Sequence, residues 1–174
     1  MRKLIKILIP MLLSCAGAQA QDEFAKVRCE ADIAKALTGQ RESNEPVVAT
    51  EARHKDLGLK DLGADIISDH VNTISWLICG KEFMVLDKRS VIGDIIEFPP
   101  HSKTSPAFGG FCQIKGRETK DVIIAVLDGA SAKGELLPAK AAWRIDERAA
   151  KFVKMDTSDL LCPRSGIYAT DGGT

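Results

Sequence analysis

Of the five cysteines in a chain of 174 residues, four, Cys29, Cys79, Cys112 and Cys162, lie beyond the first 20 residues, and whether they pair decides how far the fold is free to vary. The first 20 residues, MRKLIKILIPMLLSCAGAQA, argue that they do pair. A basic start, an apolar run from Ile7 to Leu13 and the small residues Ala18 and Ala20 read as a secretory signal cut after Ala20. An even number of cysteines in an exported chain points to a disulfide framework. Sequence alone leaves three pairings open. Each bridge would stabilise the fold by about 4 kcal/mol in the chain-entropy view. A redox role is disfavoured because no Cys-x-x-Cys pair is present. Cys29 to Cys79 and Cys112 to Cys162 are each 50 positions apart, which suggests duplicated halves, but the residues preceding them do not align.

The apolar run falls short of the roughly 20 residues that cross a bilayer, and no later segment supplies a span. Leu12-Leu13-Ser14-Cys15 loosely resembles a lipobox, so the alternative to a freely periplasmic or secreted protein is a lipoprotein tethered through Cys15. Cleavage after Ala20 leaves 21–174 as a single globular domain. Arg2, Lys3 and Lys6 go with the signal, so the balance of 24 basic and 24 acidic residues becomes a formal charge of −3. Nothing in that balance favours nucleic acid or an anionic membrane surface.

Phe24, Val27, Ala31, Ala34 and Leu37 recur at helical spacing ahead of Gly39, which predicts an amphipathic helix over 23–38 carrying Cys29. The stretch 40–63 is polar, broken by Pro46, Gly58 and Gly63, and reads as loop with an edge strand at Val47-Val48. From 66 to 155 the pattern is β-rich. Ile74, Trp76 and Ile78 share a strand face, Gly80-Lys81 turns the chain, and Phe83–Leu86 and Ile92–Phe98 follow until Pro99-Pro100 ends pairing. Four further apolar segments, 111–114, 122–127, 141–145 and 152–155, are separated by turn residues, and the last two read as a hairpin. Val122–Leu127 is apolar on both faces, as a covered central strand requires, with a buried helix as the alternative. The fold class is therefore α+β: an N-terminal helix on a mainly antiparallel sheet of about seven short strands, a bent sheet or small open barrel, with two disulfides. Residues 156–174 form a tail pinned by Cys162.

The densest unusual segment, 98–110, holds three prolines, His101, Lys103 and Phe108. Long loops in compact domains often bind or cover, so these three, with Arg164 beside Cys162, are the candidate binding residues. The competing reading makes the loop a crossover between sheets with Phe98 and Phe108 in the core. His101-Ser102-Lys103 supplies the groups a small hydrolase or transferase would need, but adjacent residues seldom converge. No Gly-x-Ser-x-Gly elbow or Ser-x-x-Lys motif accompanies them in the mature chain. His70 near Asp65 and Asp69 reads as a solvated turn rather than a metal site, and Asp146-Glu147 as turn acids. No cofactor motif is present. The expectation is a bacterial envelope protein that binds a protein or cell-wall partner without catalysis; the alternatives are that small enzyme and a passive structural role.

Overall fold

The computed structural model describes residues 22–130 and 134–164. The expected signal, the Cys15 anchor and the residues after Arg164 lie outside them. Among the described residues the chain forms two antiparallel β-sheets, one of them curled into a half-barrel, with few helices. No helix among them is long and apolar enough to cross a membrane.

The first sheet is a meander of β1 (Lys60–Ser68), β2 (Val71–Ile78), β3 (Lys81–Lys88) and β4 (Ile92–Glu97), paired in chain order. Between β2 and β3 the two turn residues are Cys79 and Gly80, both at positive φ (54° and 75°), the backbone twist that suits a tight hairpin. β1 begins inside the stretch that reads as loop. Its apolar alternation is broken by Gly63 and by two register shifts, at Asp61/Gly63 and Ile66/Ser68, which hide a strand from pattern reading. Val47-Val48 is not an edge strand. It opens helix α2 (Val47–Arg53), with Pro46 as its N-cap.

Within 23–38 the regular helix is α1 (Ile33–Leu37). Asp32 caps it, its side chain accepting from the Lys35 N–H, and turns occupy 23–26. The apolar side chains of this span still reach the core, since Phe24, Val27, Ile33 and Leu37 pack with Trp76, Ile78, Phe83 and Val85.

The second sheet contains β5 (Ala107–Gly110), β6 (Gln113–Ile114), β7 (Arg117–Glu118), β8 (Ile123–Leu127), β9 (Leu136–Asp146), β10 (Lys151–Lys154) and β11 (Leu160–Pro163). Its order is β5-β8-β9-β11-β6-β7, with β10 also on β9. Long β9 pairs with β8 through Ala139–Arg144, with β11 through Leu136–Pro138 and with β10 through Trp143–Asp146. The expected hairpin thus forms, Trp143 opposite Lys154 and Ile145 opposite Phe152. β8 is buried throughout, and its alternation divides two cores. Ile123, Ala125 and Leu127 pack with Phe108, Leu137 and Leu160. Ile124 and Val126 join Ile145 and Phe152 against Val71, Met84 and Leu86 of the first sheet.

Polar contacts reinforce that seam. The Phe152 N–H donates to Asp94 Oδ2 at 2.9 Å, and Lys88 Nζ donates to the carbonyls of Glu147 and Arg148 at 2.9 and 2.8 Å. The cysteines pair as Cys29–Cys79 and Cys112–Cys162, with Cα atoms 5.5 and 4.3 Å apart. The first bridge ties the N-terminal segment to the β2–β3 turn. The second ties β11 to the residues between β5 and β6.

The two sheets approach closely at Gly93. A Cβ added there would lie 2.6 Å from the Ala150 Cβ and 2.9 Å from its carbonyl oxygen. Gly93→Ala should therefore lower the unfolding free energy by about 1–3 kcal/mol, read as a lower urea midpoint at unchanged slope. An unchanged midpoint would mean the sheets separate at this point without cost. Reduction should destabilise more, by about 4 kcal/mol per bridge at most, and non-reducing mass spectrometry of peptides should recover the two consecutive pairs.

Candidate functional site

The chain between α1 and α2 lies along the open side of β4. Gly39 N–H donates to the Ile92 carbonyl at 2.7 Å, Ile92 N–H to the Gln40 carbonyl at 2.9 Å and Glu42 N–H to the Ser90 carbonyl at 3.1 Å, while Arg41 bridges Val91. This short ladder fixes residues 39–42 as a strap. Its far end is tied to the N-terminal segment, since Ser43 N–H donates to Glu23 Oε2 at 3.0 Å, and Glu45 N–H then donates to Ser43 Oγ at 3.0 Å.

Under the strap is a partly open cavity of about 190 Å³. Its floor is one face of the meander: Ala64 on β1, Ile74 and Trp76 on β2 and Val85 on β3 are brought together by the register Ala64–Ile74–Val85. Phe24, Leu37, Val47 and Ile92 complete the apolar wall, with the Phe24 ring edge-on to Trp76 at 5.3 Å. The polar lining is acidic. Glu23, Glu42, Glu45 and Asp61 contribute carboxylates, and the lining residues include no lysine, arginine or histidine.

Burial makes these acids unusual. Asp87, opposite Asn72 on the floor's face of the sheet, is 2% exposed; its Oδ2 accepts from Asn72 Nδ2 at 3.3 Å and its Oδ1 has no hydrogen-bond partner. Glu42 Oε1 and Glu45 Oε2 are likewise buried without a partner. Burial pushes the Glu42 carboxyl up to about 7, and the neighbouring charges of Asp87 and Glu23 push the same way. Glu23 is also raised, chiefly by burial, against backbone hydrogen bonds and the His54 charge that favour its ionised form. Ordinary pairings touch the edges of this group: the other Glu45 oxygen meets Arg53, His54 Nε2 lies 2.8 Å from Asp22 Oδ1, and Asp61 N–H donates to Glu51 Oε1.

The sequence-derived candidates are dispersed. Residues 98–106 are the crossover from the first sheet to the second, with Phe98 and Phe108 both in cores, so Phe108 presents no aromatic face to a partner. His101 bonds Glu82 Oε2 at 2.9 Å, a contact that raises its pKa against the opposing effect of burial. Lys103 is exposed in a tight turn closed by reciprocal Ser102–Ser105 backbone bonds, and the Ser102 hydroxyl faces Thr104 Oγ1 at 3.1 Å. His101, Ser102 and Lys103 therefore engage different neighbours and build no common centre. Arg164 donates to the Gly134 carbonyl beside a wide surface depression. No group of three or more potential metal ligands occurs among the described residues. The acid-lined cavity is not legible in the sequence because Glu23, Glu42 and Asp61 are far apart along the chain and each reads as a solvated acid. One signal was present: Val47-Val48 is an exposed apolar pair inside a polar stretch.

No protein-family model, curated protein or solved structure matches this chain.

Because Glu42 is held above its ordinary value of 4.5, its contribution to stability is fully present below about pH 4.5 and lost as pH rises through about 7. Glu42→Gln should remove that loss, making the variant more stable than wild type at pH 8 by on the order of 2 kcal/mol after allowance for the solvent that still reaches the group, and no more stable at pH 4.5. Urea titrations at the two pH values decide it. Equal pH dependence in both proteins would mean that Glu42 is solvated and ordinary. His101 should act in the same direction, its bond to Glu82 adding stability below the ordinary histidine pKa that is lost as pH passes its raised value. His101→Gln should therefore lose stability at pH 5.5 and little at pH 8.5, by the same titrations.

Proposed function

We propose that this protein is an exported, non-enzymatic binding module, periplasmic or secreted, whose ligand site is the cavity under the 39–45 strap. The observation that carries the reading is the cavity itself: an apolar, aromatic-walled space with a few polar groups at one side is the common form of a small-molecule site. An apolar cavity of about 150 Å³ is enough to hold a benzene molecule, so the volume here admits a ligand of ring size with a head group. Export is supported by the leader-like first 20 residues and by two bridges that suit an oxidising compartment. A binding role is favoured over catalysis because His101 bonds Glu82 and the Ser102 hydroxyl faces Thr104, while Lys103 is exposed in the turn.

The test uses Trp76, which lines the cavity, as reporter in a Trp143→Phe background, since the chain has two tryptophans. A fragment library screened by tryptophan fluorescence and thermal shift should yield ligands that move both signals. Ala64→Phe, which fills the cavity from its exposed β1 rim, should abolish their binding while leaving the thermal midpoint of the free protein within a few degrees. Ligands that bind the Ala64→Phe protein equally well would place the site elsewhere.

A further inference from the structure

The cavity has a sign as well as a shape. Every charged side chain that lines it is a carboxylate, and on the same face of the sheet stands Asp87, 2% exposed with Oδ1 unpartnered. Buried acceptors without donors are costly, and native structures leave few of them. Two such oxygens, on Glu42 and Glu45, belong to residues that line a space whose apolar walls include Phe24, Trp76, Ile74 and Val85, and the third, on Asp87, is close enough for its charge to act on Glu42. What this arrangement lacks is a donor that carries positive charge. We infer that the cavity takes a small apolar molecule bearing an ammonium group, the ammonium donating to the Glu42 and Glu45 carboxylates and the apolar body lying over Trp76 and Ile74.

This inference rests on the cavity being the ligand site, and it commits that site to one charge class. An uncharged molecule of the same shape would leave the carboxylates without a cation, and an anion would meet four like charges. The Glu45 carboxylate is half-satisfied by Arg53, so Glu42, with no basic side chain among the charges acting on it, is the principal partner. The groups around it are Glu23 with its neighbours Asp22 and His54, Glu45 with Arg53, Asp61, and Asp87 with Asn72. Taking up a cation requires Glu42 to be ionised. Binding should therefore release a proton and tighten as pH rises towards 8.

The experiment is isothermal titration of the oxidised full chain with three probes of one shape: benzylammonium, benzyl alcohol and benzoate. Benzylammonium should bind at least about tenfold more tightly than the alcohol, the scale of one hydrogen bond to a charged group, and benzoate should not bind. Between pH 5.5 and 8 benzylammonium affinity should rise, and the heat should vary with the ionisation enthalpy of the buffer, as proton release demands. In Glu42→Gln the amine-to-alcohol ratio should fall about tenfold and the pH dependence should flatten. If alcohol and amine bind equally, or benzoate binds best, the cavity remains the site and the ammonium assignment is overturned. If none of the three binds and the wider fragment screen yields nothing that Ala64→Phe blocks, the cavity reading falls with it.

Discussion

The two sheets of this fold meet along a seam that neither disulfide crosses. The two sheets share no strand, and each disulfide closes within its own half of the chain, so their association rests on the side chains of β8 that point away from their own sheet's core. Ile124 and Val126 press on Val71, Met84 and Leu86, and Gly93 lets the β9–β10 turn approach β4 closely. Burial of this kind is non-directional. The hydrogen bonds from Lys88 and Phe152 across the seam set the register that apolar contact leaves loose.

The same logic explains where the cavity sits. One face of the meander is spent on the seam, through Val71, Met84 and Leu86, and the other must be covered by the N-terminal segment. That cover is made of short pieces, five- and seven-residue helices and a strap, rather than a second sheet. Short pieces leave gaps. Backbone pairing of the strap to Ser90–Ile92 fixes the main chain of Glu42, so its side chain has little choice but to lie near Asp87 and Glu23. Carboxylates gathered this way cost stability, and sites that break local rules of folding are where function is expected.

Legibility in the sequence followed how local each signal is. β8 is legible from five consecutive apolar residues, and the β9–β10 hairpin from two apolar segments around a charged turn, because each signal is local in the chain. β1 was lost where Gly63 and the register shifts interrupt its period, and β6 and β7, two residues each, are too short to carry a period at all. Val47-Val48 was misread because β-branched residues favour strands in general, while Pro46 and the run Ala49–Arg53 favour helix in this place. Phe108 was ambiguous by nature, since an aromatic in a proline-rich loop can anchor a partner or a core. The cavity was the least legible part: its floor comes from three strands and its acids from three separate segments.

The order in which the cysteines pair carries a further consequence. Among the four cysteines of the described residues each bridge joins neighbours along the chain, Cys29 with Cys79 and Cys112 with Cys162, and the residues of the meander all precede those of the second sheet. Given the export proposed above, a chain threaded across a membrane from its N-terminus presents Cys29 and Cys79 before Cys112 emerges, so an oxidase that joins cysteines as they appear makes these two bridges directly. Such a protein has no non-consecutive bond to correct. Its maturation should then draw on disulfide formation and be indifferent to the machinery that reshuffles disulfides.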